Sequence, residues 1–174
     1  VLRNSKDFVN TKTVVTLYSS LVKSLLEYAS PIWSPTSKAR INQIESVQHK
    51  FLRFMARKYF GDLNDSIDYK LYERKLKLQS LELRRAITDV KTTIKSFNGE
   101  IDSFTFLQHF SFSVPRLRSR QRQVFQTSPN STIFSRLMNH YNNFCNNFDY
   151  LNQKSCLKCV LAHVESKFVR FSTM

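Results

Sequence analysis

The chain has 174 residues, of which 41% are hydrophobic, with 15 Phe and 7 Tyr; that is enough apolar mass for a buried core and excludes a disordered tail as the whole description. Its 27 Lys and Arg against 13 Asp and Glu give a net charge of +14 and a pI near 10.0, so a polyanionic partner is expected. Nucleic acid fits better than an anionic membrane, because the basic residues recur along the whole chain instead of flanking one apolar anchor.

Only two Gly occur, which excludes a glycine-rich phosphate loop, makes tight hairpins scarce and favours helices. Three Cys, an odd number, read as free thiols of an intracellular protein. No apolar run approaches the ~18 residues of a membrane span, so a soluble chain with no membrane partner is expected. The opening Val1-Leu2-Arg3 lacks an initiator Met and reads as part of something larger.

In chain order, residues 1–10 form a polar entry segment carrying Leu2 and Phe8. From about Thr13, the positions Val14, Leu17, Tyr18, Leu21, Val22, Leu25 and Leu26 recur at helical spacing, with β-branched Val14 and Val15 weakening the first turn. Pro31 and Pro35 stop that helix and make 27–35 a rigid corner. Trp33, the one tryptophan, is expected as a buried wedge rather than a surface for base stacking.

The next stretch, Ser37 to Tyr59, reads as a single two-faced helix of roughly 30 Å, with Ser37 as its N-cap. Ile41, Ile44, Val47, Phe51, Leu52, Phe54 and Met55 fall on one broad arc, while Lys38, His49, Lys50, Arg53 and Arg57 fall on the opposite one. Arg40 and Lys58 break the pattern near the two ends, where long stems reach past a core to water.

Gly61 to Asp65 interrupts the pattern, and a short helix follows over Ile67 to Leu76. Ser80 then caps a helix to Phe97, with Leu83, Ala86, Ile87, Val90, Ile94 and Phe97 on its apolar side and Gly99 placed to end it. Arg84, Lys91 and Lys95 make a second cationic stripe beside that face. Residues 100–113 are rich in Phe and predict a short helix and an extended piece. Arg116, Arg118, Arg120 and Arg122 then alternate, which as a strand lines one face with guanidinium groups and as a loop wraps a phosphate backbone. Ser128 to Ser131 reopens a helix through Ile133, Phe134, Leu137, Met138, Tyr141 and Phe144, and a last one is expected over about Lys154 to Phe168. The expected fold is therefore all-α, an irregular helical bundle of about five to seven helices with a Pro-rich corner and an Arg-rich extended segment. Residues 1–99 are expected to form one helical bundle and 100–174 a helical extension packed on it.

No catalytic centre is expected. Asp62, Asp65 and Asp68 are spaced as turn and cap residues rather than as a metal site, and no adjacent Asp pair could hold two metal ions. His49, His109, His140 and His163 lack a nucleophile and acid at suggestive spacing. Cys156, Cys159 and His163, with Cys145 upstream, share a helical side with Val160, and a small apolar seam outweighs a zinc site. No cofactor and no metal are expected. A cationic stripe on a helix is usually only its solvated side; three of them together with the charge excess favour contact with nucleic acid.

The run TLYSSLVKSLLEYASPIWSPTSKARINQIESVQHKFLRF, within Leu17 to Tyr59 and its approach, resembles the region after the catalytic palm in reverse transcriptases of non-LTR (LINE-type, jockey-like) retrotransposons. Arg74 to Arg85, Asp89, Lys91, Gly99 to Asp102 and Pro115-Arg116 agree in order, so the resemblance covers most of the chain, strongly to about residue 90. It implies a thumb-like helical region and C-terminal extension whose parent is an RNA-directed DNA polymerase, found in nuclear and cytoplasmic ribonucleoprotein. The fingers, the palm and its metal-binding aspartates are absent from these residues, so no enzyme activity is expected of this chain. Its partners would be the template-primer duplex of RNA and DNA and the remainder of the polymerase, with Lys38, Lys50, Arg53, Arg57, Arg84, Lys91, Lys95 and Arg116 to Arg122 on the phosphates. A structural brace for the palm, and an independent helical module reading a major groove, are the competing readings.

Overall fold

The computed structural model describes residues 10–62, 66–101, 104–113, 123–127 and 133–145. Among them the fold is all-α, and the only β feature is an isolated antiparallel bridge between Phe112 and Phe125. The expected Arg-rich segment at 116–122 and the helix at Lys154 to Phe168 lie outside the described residues.

The first helix runs through three consecutive segments: α1 (Thr11–Leu17), a π-helical stretch (Tyr18–Lys23) and α2 (Ser24–Glu27). Asn10 caps it, its side chain accepting from the Lys12 amide at 2.9 Å. A single helical turn, α3 (Ser30–Trp33), follows Ala29, whose φ is +50°. Pro31 sits inside α3 instead of ending a helix, since a first-turn residue has no intrahelical use for an amide hydrogen.

The central helix α4 (Lys38–Tyr59) has the expected extent, with Ser37 extended at the N-cap position although its hydroxyl makes no capping bond. Asp68 caps α5 (Tyr69–Leu76) by accepting from the Leu71 amide, and Lys77 closes it in the left-handed region at φ +54°. α6 (Leu81–Phe97) begins at Ser80, whose hydroxyl accepts from the Leu83 amide at 3.3 Å. It ends at Gly99, where φ of +69° lets the next amide reach back to the Lys95 carbonyl. The short α7 (Phe104–Leu107) and the longer α8 (Ile133–Cys145) complete the described helices.

The chain divides into two compact units, one from residues 1–30 and 35–84 and the other from 31–34 and 85–174, so the division falls inside α6 rather than at Gly99. In the first unit, Val14 and Tyr18 pack with Phe51, Leu52, Met55 and Ala56 of α4 and with Tyr72 and Leu76 of α5. The Tyr18 and Phe51 rings stack at 3.9 Å.

The core of the second unit is aromatic. Phe125, 2% exposed, meets Phe97, Phe110, Phe112 and Tyr141 at centroid distances of 5.2 to 5.5 Å. Its peptide is held by Asn142, which accepts from the Phe125 amide at 3.1 Å and donates to its carbonyl at 2.8 Å.

Trp33 departs from expectation: it is 41% exposed, not a wedge. The corner is secured by an arginine instead. Arg136 of α8, buried, donates to the carbonyls of Pro31 and Ser34 and, at 3.0 Å, to the fully buried carboxylate of Asp89.

Candidate nucleic-acid interface

The buried arc of α4 contains more than apolar side chains. Glu45 and Gln48 lie on it, in the series 41, 45, 48, 52, 55 that defines one helical side. Glu45, 8% exposed, accepts from the Leu81 and Glu82 amides, so a carboxylate from α4 caps the N-terminus of α6. The orphan amides and the positive end of the helix dipole offset the cost of burying that charge. Gln48, fully buried, donates to Glu73 at 2.8 Å and to the Gln79 carbonyl at 3.1 Å, and accepts from the Tyr18 hydroxyl at 3.4 Å. Burial among these groups raises the Glu73 carboxyl above the usual carboxylate range, against the pull of the Gln48 bond. Burial also raises the Tyr18 phenol, helped by the neighbouring Glu45 charge.

Glu45 and Glu73 are thus held inside this unit, and the exposed side of α4 carries cations. Lys50, Arg53 and Arg57 are all exposed and follow one another at i, i+3 and i+7, a row about 10 Å long at ~1.5 Å per residue. Arg53 donates to the Tyr69 hydroxyl at 2.7 Å. The Tyr69 ring stacks on His49 at 4.0 Å and 9° between planes. Half-buried there and beside the Arg53 cation, His49 is held below its ordinary pKa, burial being the larger cause. Past the end of the row, Phe60 is 41% exposed, with the Lys75 ammonium 5.2 Å from its ring centre.

The remaining cations expected on phosphates are placed differently. Lys38 is 3.5 Å from Glu82 with 73% of its side chain exposed, a surface pair of small energetic consequence that leaves the ammonium open to another anion. Arg84 is not on an open cationic stripe: it is half-buried and grips Glu27 with both faces of the fork, one bond being 2.7 Å from Nη2 to Oε2. Its charge also lowers the pKa of nearby Lys23, after burial. Lys91 is half-buried, and Lys95 is 3.6 Å from Glu100 with both side chains about half exposed. The structure therefore sets Lys50, Arg53 and Arg57 in one exposed row on α4. Arg116, Arg118, Arg120 and Arg122 lie outside the described residues.

Among the described residues no group of three or more His, Cys, Asp or Glu side chains could hold a metal. Asp62 accepts from the Tyr72 hydroxyl at 2.7 Å and Asp68 caps α5, while Asp65, Cys156, Cys159 and His163 lie outside the described residues. Among the described residues no helix is long and apolar enough to cross a membrane.

Polar residues that the sequence reading left unassigned, Glu45, Gln48 and Arg136, turn out to determine the geometry. For Glu45 and Gln48 the signal was their phase on α4. Comparison with protein-family models, with curated proteins and with solved structures gives no match for this chain.

Proposed function

We propose that the chain is the helical region following the palm of a non-LTR retrotransposon-type reverse transcriptase, and that α4 lies along the phosphate backbone of the template-primer duplex. The observation that carries this reading is the exposed row Lys50, Arg53 and Arg57, set on a helix whose opposite side is buried in a core. Phosphate contacts of this kind supply affinity and position without reading sequence. The resemblance supports the parent, and Glu27, Glu45, Gln48 and Arg84, which belong to the similar runs, make hydrogen bonds within the first unit. No catalysis is assigned to these residues; RNA-directed DNA synthesis would belong to the parent polymerase, and the remainder of that polymerase is a partner.

Binding to a DNA or RNA–DNA duplex tests this. With about five phosphates neutralised, log K falls against log salt with a slope of about −4 to −5, and Arg53→Glu with Arg57→Glu makes it shallower by about 2. Binding that ignores salt overturns the reading. The pairs Lys38–Glu82 and Lys95–Glu100 favour a second reading, a helical brace whose cations only keep it soluble. In that case primer extension by the whole polymerase survives charge reversal at Arg53 and Arg57.

A further inference from the structure

Phe60 is the C-cap residue of α4 and continues its winding, with φ of −112° and ψ of −4°. It therefore comes next along the cationic row, at i+10 from Lys50 and i+3 from Arg57, about 15 Å from the row's start at ~1.5 Å per residue. Its ring is steadied from one direction by Tyr72, at 5.4 Å and tilted by 56°, and Lys75 is within cation–π distance of both rings. Tyr72 is in turn held by its hydroxyl bond to Asp62. With that support the ring still leaves 41% of its surface in water. Lys58 covers the neighbouring Tyr59 ring at 5.1 Å. An exposed, buttressed aromatic among lysines, at the end of a row of phosphate-binding cations, is the combination that holds an unpaired base together with its backbone.

We propose that Phe60 is a stacking platform for an unpaired nucleobase, so that the site takes the junction between a duplex and a single-stranded overhang in preference to continuous duplex. The inference rests on the nucleic-acid reading of α4 and deepens it. Lys50, Arg53 and Arg57 follow one strand's phosphates, and the first base beyond the paired region lies on Phe60 while Lys75 meets its phosphate. Stacking is indifferent to base identity, so the preference is for the junction and not for a sequence.

The test uses the full chain with two probes, a blunt DNA duplex and the same duplex carrying a short overhang that contains 2-aminopurine. The wild type is expected to bind the overhang form roughly 5- to 10-fold more tightly and to quench the probe's fluorescence. Phe60→Leu keeps the apolar contact with Tyr72 but removes the ring, so it is expected to bind blunt duplex normally and lose both the preference and the quenching; Phe60→Trp restores them. Equal binding of both probes, unchanged in Phe60→Leu, overturns the platform while leaving the phosphate row standing. Failure to bind either probe overturns the phosphate row itself.

Discussion

α4 and α6 carry the same pattern in sequence, an apolar face with cations beside it, and they use it in different ways. On α4 two nearby carboxylates are turned inward, Glu45 capping α6 and Glu73 bonded to Gln48, and Lys50, Arg53 and Arg57 are exposed. On α6 the carboxylates meet the cations, Glu27 on Arg84 and Glu100 near Lys95, while Asp89 takes Arg136 from α8. A helical wheel shows where cations are; how exposed each one is depends on where the carboxylates of other segments are anchored.

The largest effect that this contrast predicts is at Asp89 and Arg136, whose side chains are 0% and 7% exposed. Removing Arg136 leaves the buried Asp89 carboxylate with the His140 ring nitrogen at 2.9 Å but without its guanidinium, so Arg136→Ala is expected to lower the unfolding free energy by about 3 kcal/mol, measured by denaturant titration. Arg53→Ala, on the exposed row, should stay within about 0.5 kcal/mol of wild type. Similar losses at the two positions would erase the distinction between the helices.

A smaller effect sharpens it. Glu27→Gln is expected to cost about 1 kcal/mol, because the ion pair with Arg84 is only partly shielded from solvent. It also removes the carboxylate charge beside Arg84, so duplex binding should become tighter and its salt slope steeper by up to about 1. Unchanged binding would mean that Arg84 faces no phosphate.

The smallest effect concerns His49 beside the row. Its folded-state pKa lies below the ordinary 6.5, so the unfolded chain takes up the proton more readily. Its contribution to stability is complete above about pH 6.5 and is lost as the pH falls through the folded value. His49→Gln should flatten that part of the stability profile. A profile that stays equally steep would place the titration elsewhere.

Much of the architecture could be read from residue order: α4 with its boundaries, the Ser80 start and Gly99 end of α6, and the helical run of α8 through Ile133 and Tyr141, whose expected start at Ser128 to Ser131 lies outside the described residues. Glu45 and Gln48 were also readable, since their phase put them on the buried arc, although their polarity argued against it. The Arg84–Glu27 pair was not, because it joins residues 57 positions apart and only the tertiary fold brings them together. Trp33 departs from expectation for a related reason: size favours burial, but the corner is held by Arg136, 105 residues beyond Pro31, through the carbonyls of Pro31 and Ser34. The Phe60 platform was equally hidden, because its support comes from Tyr72 and Lys75 across the break after α4.

The π-helical stretch Tyr18–Lys23 has a bearing on which insertions and deletions this chain can accommodate. Wider turns advance the chain by less than the ~100° per residue of a regular helix, so this stretch sets the angle at which Glu27 leaves the helix relative to Tyr18. Shortening it by one residue would give a smoother cylinder with better hydrogen bonds. The same edit would swing Glu27 away from Arg84, trading local regularity for the loss of a long-range tether.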